Sequence, residues 1–524
     1  MKAAWMLVGA AVSACCARPA VVQEPVTATA TVPPGRSVVP AEPPAPREPA
    51  AEPVDPGPQT LPMPAAVAMP WDAAGVDWTK PPAAWPEAAF APPRPVTFTL
   101  ADGVKVYLVE NHRLPMVSVR VLHAAAGTRE DGDQAGLAAL TADLLDEATR
   151  TRTALELPEE LERLGTRLRI GAGVDGAVLT IDTLTETLEP ALTIAADMII
   201  RPRLAPEDFE RIKAERLADL ALRPDQPRAI AAVVFEQLVF GAHPYASPGS
   251  GWRETVATLT LDDVTRFWST HYAPRATSII VAGDVTRAQL EPILARTWGA
   301  WKATAKPAPA GARPAVAAPV LAVVDRPGAP QTVVTIGRLG PDAGDPRRAD
   351  LDVINTAVGG SFAARLNARL REELGYTYGI FSTVWRGQRA GAWSVSSSIR
   401  TDVTGAAIRE ILAILKSTSA APLPADELAR TRSLIVRGLP QDFETNSAIA
   451  AAYASVIADR RPLTTYRDLP RQVARVTGPT ARAAAASLWK DFHIVVVGDW
   501  SAIAKDLESL GLPIVRFSPD GKRL

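Results

Sequence analysis

Between residues 96 and 517 the chain alternates short apolar strands with longer segments of helical spacing, in an order that occurs twice. Thr97–Leu100 and Val104–Val109, separated by Ala101-Asp102-Gly103, predict a hairpin. Met116–Ala125 predicts a third strand. Gly136–Glu147 and Leu155–Leu164 carry helical periodicity, and Gly165 stops the second of them. Two strands follow, Arg167–Gly173 and Gly176–Thr183. Helices are predicted near Leu188–Ile200, Pro206–Leu222, Ala229–Phe240 and Leu261–Tyr272. The last leads into an apolar strand, Ser278–Ala282, closed by Gly283-Asp284.

After a Pro- and Ala-rich stretch, 303–318, the plan returns. Val320–Val324 and Thr332–Ile336 predict strands, and Ala349–Val358 a helix. A helix over Phe362–Leu374 stops at Gly375, where a left-handed cap needs no Cβ. Strands near Tyr376–Trp385 and Ala392–Ile399 come next, then helices near Val403–Leu415, Ala425–Arg437 and Ser447–Ala458. The strand Ile494–Val497, closed by Gly498-Asp499, echoes Ser278–Asp284. Gly165 and Gly375 stand about 210 residues apart, far beyond the ~20 to 50 residues of a solenoid unit, so the pattern is a duplicated domain.

Composition adds an address and removes several chemistries. Prolines, 48 in the chain, are densest in the first hundred residues, and 15–95 reads as a Pro/Ala-rich tether with Trp71, Trp78 and Trp85 near its end. Met1-Lys2 and the apolar run Ala3–Val12 form a short secretory signal. Val12-Ser13-Ala14-Cys15 resembles a bacterial lipobox. That resemblance implies a 1–14 lipoprotein signal peptide, lipidation of Cys15 and a protein anchored on the periplasmic side, with Cys16 fitting delivery to the outer membrane. Cys15 and Cys16 are the only cysteines, so the folded body has no disulfide and no thiol nucleophile. A net charge of -1 gives no electrostatic case for nucleic acid. There is no Gly-x-Ser-x-Gly elbow, and the five histidines, at 112, 123, 243, 271 and 493, have no ligand spacing. One pair of side chains stands out. Arg371, in the last turn before Gly375, and Tyr378, early on the next strand, can meet at one edge and offer donors without a basic nucleophile. A Gly-Gly-Ser phosphate loop at 359–361 competes for the same stretch, but no buried strand runs into a P-loop sequence there.

Gly136-Leu137-Ala138, His243-Pro244-Tyr245 and Val281-Ala282-Gly283-Asp284-Val285 resemble one half of an M16 (pitrilysin and insulinase-like) zinc metallopeptidase. Gly359-Gly360-Ser361-Phe362, Arg365-Leu366-Asn367, Leu370-Arg371-Glu372 and Gly375-Tyr376-Thr377-Tyr378 resemble its non-catalytic half. The resemblance covers roughly residues 96 to 515. It implies an α+β fold of two duplicated α/β roll domains, 96–302 and 319–517, joined by the linker 303–318, each a mixed, mainly antiparallel sheet covered by helices. In that family the helix opened by Gly-Leu-Ala bears His-x-x-Glu-His, two zinc ligands and a base, and a later glutamate completes the ligand set. The matching positions here are Ala139-Leu140-Thr141-Ala142-Asp143, and the later position falls near Asp219. Both imidazoles and the base are gone. The resemblance therefore implies a chain inactive alone, with no cofactor of its own, paired with a zinc-bearing M16 chain. In such a pair Arg371 and Tyr378 reach a peptide or unfolded polypeptide bound at the partner's metal. Two alternatives stand beside it: a periplasmic scaffold or peptide-binding protein of the same fold, and a self-sufficient hydrolase using Asp143 and Asp219.

Overall fold

The computed structural model describes residues 90–305 and 313–524. The signal, Cys15 and most of the tether lie outside them, as do residues 306–312 of the linker. The described residues belong to one compact unit.

The first half builds a six-stranded sheet from β1 (Val96–Thr99), β2 (Lys105–Glu110), β3 (Met116–His123), β4 (Arg167–Gly173), β5 (Gly176–Leu184) and β6 (Thr277–Gly283). Their order is β1-β2-β6-β3-β5-β4, antiparallel except where β6 lies parallel to β2. The second half uses β7 (Leu321–Asp325), β8 (Gln331–Gly340), β9 (Thr377–Arg386), β10 (Gly391–Arg400), β11 (His493–Gly498) and β12 (Ile514–Phe517). Their order is β12-β7-β11-β8-β10-β9, with two parallel pairings at the β12 end. Five strands of each sheet share one topology, as the duplicated pattern requires. The sixth differs: β1 precedes the first repeat and β12 follows the second. The isolated Ile514–Phe517 run gives no sequence signal for the latter strand.

Each sheet packs its own helices on one face, around cores that include Leu140, Leu144 and Ile181 in the first half and Ile354, Leu366 and Trp393 in the second. The opposite faces are covered reciprocally. The Pro227–Phe240 helix of the first half lies on the second sheet, its Ile230, Val234 and Phe235 packed with Val333, Val495 and Val497. The Asn446–Ala458 helix of the second half lies on the first sheet, its Ile449, Ala450 and Tyr453 packed with Val109, Leu122 and Ile280. Both helices are apolar around most of their circumference. Burying one Ile, Val or Phe contributes about 1.5–3 kcal/mol, so neither half can give up its exchanged helix cheaply. Polar contacts fix the second exchange: Arg120 Nη2 donates to Ser447 Oγ at 2.5 Å, and Asn111 Nδ2 to Asn446 Oδ1 at 2.7 Å. Phe90 stacks on Phe443 at 5.6 Å and the Tyr453 hydroxyl donates to the Pro93 carbonyl, so residues just before β1 lie along this same helix.

Candidate functional site

The Leu137–Leu145 helix carries the first set of candidate positions. It starts at Gly136, whose φ of 101° and 2.9 Å approach of a Cβ to Gly251 Cα leave room only for glycine. Asp131 caps it, one carboxylate oxygen accepting the N–H of Gly136 and the other that of Ala138, each at 2.8 Å. Burial pushes this carboxyl up to about 7 against the lowering effect of the two N–H groups. On the helix itself, Ala139 and Ala142 present methyl groups. Asp143 accepts from Arg216 Nη2, on the Pro206–Ala221 helix. One turn away Arg211 bridges Glu147 and Glu215. Asp219 is exposed on the same helix and is not the group that meets Asp143.

A zinc ion requires three protein ligands, here two imidazoles and a carboxylate in the family pattern. These residues do not fit one. Of the ligand positions Ala139 has no ligand atom, Asp143 is a carboxylate already charge-paired with a guanidinium, and Asp219 is exposed away from it; Ala142 leaves the base position empty. Among the described residues no group of three or more His, Cys, Asp or Glu is placed to hold a metal ion. A self-sufficient hydrolase built on Asp143 and Asp219 finds no support in this geometry.

The histidines have local partners. His243 Nδ1 accepts the Tyr245 N–H at 3.2 Å, and His112 Nδ1 lies 2.7 Å from Asp284. His123 is fully buried beside Thr277, and burial lowers its imidazole to about 3.

The second set of positions lies at β9, the outermost strand of the second sheet. The Gly359-Gly360 turn that precedes it is built by close packing. Both N–H groups donate to the Asn355 carbonyl, at 2.9 and 2.7 Å, and the Gly359 carbonyl accepts from Ser382 N. A Cβ on Gly359 would lie 2.6 Å from Ser382 Oγ. With these amides already bonded, the turn is not a phosphate cradle.

The segment predicted as one helix over Phe362–Leu374 is shorter and wider. A single α-turn, Arg365–Asn367, runs into a π-helical stretch, Ala368–Glu373, in which Leu374 N donates to Arg369 O. Phe362 stays outside because the buried Asn367 side chain takes its carbonyl, Nδ2 to O at 2.8 Å. Inserted π turns of this kind recur at functional sites. Arg365 forks onto Glu427 and Arg369 onto Glu410, which fixes the segment against its neighbours. Gly375 then turns the chain at φ 62° into β9.

The structure brings Arg371 and Tyr378 together as a stack. The Arg371 guanidinium carbon lies 4.5 Å from the Phe362 ring centroid and 5.1 Å from that of Tyr378. Its Nε is 3.4 Å from Glu372 Oε1. Two aromatic rings flank the guanidinium, an attraction of about 0.5–1 kcal/mol each at an exposed site. Tyr378 is 91% exposed, Phe362 61% and Phe381 49%. Three exposed aromatics and a guanidinium therefore form one patch beside an outer strand. Its chemistry is that of donors and flat apolar surface. It can bind a carbonyl, a carboxylate or an oxyanion.

Sequence reasoning missed three residues of these sites. Nothing in the sequence separates Phe362 and Phe381 from core aromatics, and only their exposure marks them. Arg216 is one arginine among several on its helix, and no spacing rule ties it to Asp143.

Residues 105–238 match the family described as insulinase (peptidase family M16), and residues 258–435 match the peptidase M16 inactive domain. An uncharacterized zinc protease of Mycobacterium tuberculosis is 27% identical over 367 residues, 69% of this chain and 83% of that protein. A Helicobacter pylori protein named as a non-peptidase homolog is 25% identical over 182 residues, 35% of this chain and 42% of its own. Among solved structures, a peptidase M16 inactive domain from Pseudomonas fluorescens superposes with a TM-score of 0.73 at 26% identity, covering 77% of this chain and 98% of that one. A protease from Helicobacter pylori, 20% identical, shares the fold with a TM-score of 0.74 over 78% of this chain and all of its own.

Proposed function

This chain belongs to the peptidase M16 family, as a member without the family's zinc-ligand set, and we propose that it is the non-catalytic subunit of a two-chain zinc peptidase. A separate M16 chain supplies metal and base. This chain supplies half of the enclosing wall, with the Arg371 guanidinium and the Tyr378 hydroxyl directed at the bound peptide. The peptide lies extended along a sheet edge, by strand addition. The observation that carries the reading is the contrast between the two halves. The His-x-x-Glu-His positions hold Ala139 and a paired Asp143 for the two ligands and Ala142 for the base, whereas Arg371 is stacked and Tyr378 exposed at an outer strand. Residues with that exposure contribute nothing to a core, so a partner or substrate is the economical reason for the stack. The lipobox resemblance at Cys15 puts the complex on the periplasmic side of a membrane, lipid-anchored at the outer one.

The test is co-expression with an M16 chain that has His-x-x-Glu-His intact, followed by cleavage of an unstructured peptide. Each chain alone is expected to be inactive and the pair active. Removing one transition-state donor, by Arg371→Ala or Tyr378→Phe, is expected to lower turnover about 100- to 1000-fold. A change of less than about threefold removes the donor role.

The second reading is a peptide-binding scaffold of the same fold with no cleavage partner. The exposed aromatic patch supports it equally. It predicts binding of an extended peptide to the isolated chain, and no gain of cleavage with any zinc-bearing M16 chain.

A further inference from the structure

Tyr378 is exposed because β9 carries one extra residue. Ser397 of β10 faces Ile380, and Ile399 faces Thr377. Two residues of β10 thus span three of β9, and Tyr378 and Gly379 together oppose Ser398. This is a β-bulge. Ile380 and Ser382 are buried on the inner face. Regular alternation from Ile380 would turn Tyr378 inward, onto the face packed with Ile399 and Trp393. The extra residue turns it outward, on the side of the exposed Phe381.

The bulge is held by two hydroxyls. Thr377 Oγ1 accepts the Gly379 N–H at 3.1 Å and lies 2.8 Å from the Ser398 carbonyl. Buried Ser397 has its Oγ 2.8 Å from Thr377 Oγ1 and 2.9 Å from the Gly379 carbonyl. The backbone groups that a bulge frees from the ladder are thereby bonded from inside the sheet. A third residue fixes the other ring. Fully buried Asn367 spans Phe362 O and Ile380 N, at 2.8 and 3.3 Å, and so ties the segment carrying Phe362 to the strand carrying Tyr378.

We infer that Thr377, Ser397 and Asn367 are positioning residues for the Arg371–Tyr378 stack: the two hydroxyls hold the bulge that turns Tyr378 outward, and the amide sets the spacing of the two rings around the guanidinium. The inference deepens the reading of that pair as substrate donors and rests on it only for its effect on turnover.

The test uses the full chain with 3-fluorotyrosine at its seven tyrosines, the 378 resonance being identified by its loss in Tyr378→Phe. Arg371→Ala supplies the unstacked reference position. Thr377→Val, Ser397→Ala and Asn367→Leu are each expected to move the 378 resonance away from its native position while cooperative thermal unfolding is kept. Thr377→Ser, which retains the hydroxyl, is expected to leave it in place. In the co-expressed complex Thr377→Val is expected to lower kcat about 10- to 100-fold, with KM changed less, and Thr377→Ser to stay within about twofold. If Thr377→Val does not fold, Ser397→Ala carries the test. Folded Thr377→Val and Ser397→Ala chains with a native 378 resonance overturn the inference. A displaced resonance with native turnover upholds the positioning and overturns the reading of the pair as substrate donors.

Discussion

Asp175 accepts the backbone N–H of Gln388 at 2.8 Å, across 213 residues of sequence. Asp175 lies in the β4–β5 turn and Gln388 in the β9–β10 turn, the equivalent turns of the two repeats. The duplicated halves therefore meet at the same point of each. Arg129 donates to Asp175 at 2.7 Å and the Tyr245 hydroxyl at 2.6 Å, and the same hydroxyl accepts Arg389 N. The His243-Pro244-Tyr245 motif is thus a joint between halves. Its Tyr245 ring also packs on Trp385 and Phe240, at 5.5 and 5.6 Å.

Tyr245→Phe keeps that packing and deletes one donor to a half-buried carboxylate. The expected loss is about 1–3 kcal/mol of unfolding free energy, read in urea with the slope unchanged. Asp175→Ala is expected to cost more, because it leaves the Arg129 guanidinium, the Gln388 N–H and the Tyr245 hydroxyl with fewer partners. Equal stability of wild type and Tyr245→Phe would falsify the joint.

The helix exchange predicts that neither half folds alone. A fragment of residues 96–302 lacks the Asn446–Ala458 helix and leaves the Leu122 and Ile280 face of its sheet open. A fragment of 319–524 lacks the Pro227–Phe240 helix. Each is expected to be aggregated or to bind a hydrophobic dye when expressed singly, and the two to associate when co-expressed. A monomeric, cooperatively unfolding single half is the contrary result.

His123 predicts acid sensitivity. Its Nδ1 lies 2.9 Å from Thr277 Oγ1, whose own proton goes to the Ala273 carbonyl, so Nδ1 carries the hydrogen. Nε2 is buried without a partner, against Tyr272 and Trp301, and a proton there would have nothing to bond. Burial holds the folded pKa near 3, below the ordinary 6.5. Between these values the unfolded chain binds a proton that the folded chain does not. The contribution is complete above pH 6.5 and declines as the pH falls toward 3, by about 1.4 kcal/mol per pH unit. His123→Phe is expected to remove that share of the slope of stability against pH, and an unchanged slope contradicts the assignment. His271 and His493, also lowered by burial, add slope of the same sign, whereas Asp131 and Glu236, whose carboxyls burial pushes up to about 7, oppose it.

The stack separates two roles of Tyr378. Tyr378→Phe keeps the ring over Arg371 and deletes the hydroxyl, whereas Phe362→Ala removes only the second ring. A cation–π contact of about 0.5–1 kcal/mol predicts a two- to fivefold loss of turnover for Phe362→Ala, well short of the loss expected for a missing donor. If Phe362→Ala and Tyr378→Phe lower turnover equally, the hydroxyl has no special part.

Restoring the metal ligands is expected to fail while Arg216 remains. Ala139→His, Ala142→Glu and Asp143→His together rebuild His-x-x-Glu-His, but the Arg216 guanidinium loses its carboxylate and faces the metal as a like charge. Zinc content near zero is expected for the triple variant, with binding gained on adding Arg216→Glu, which removes the cation and supplies the third protein ligand opposite Asp143. Stoichiometric zinc in the triple variant contradicts that account.

Most strands and helices, and their duplication, are legible in the sequence. Strands and helices from Arg167 to Ile200 fall where the apolar period and Gly165 place them, and the turn at Gly375 follows from the one residue that adopts positive φ freely. The loss of both imidazoles, at Ala139 and Asp143, and of the base, at Ala142, is legible because a side-chain group is either present or not. Other features were decided only by the tertiary structure. Periodicity shows that the Pro227–Phe240 helix has apolar surface to bury, yet not that the second sheet buries it. The outward turn of Tyr378 depends on a register shift opposite Ser398, which strict alternation along β9 would deny. The partner of Asp143 is Arg216, 73 residues on, because two helices happen to face each other there. Local pattern reports the period and face of one segment. Which faces meet, and in what register, is set by contacts hundreds of residues apart, and those contacts give this chain its stack of Arg371 and Tyr378.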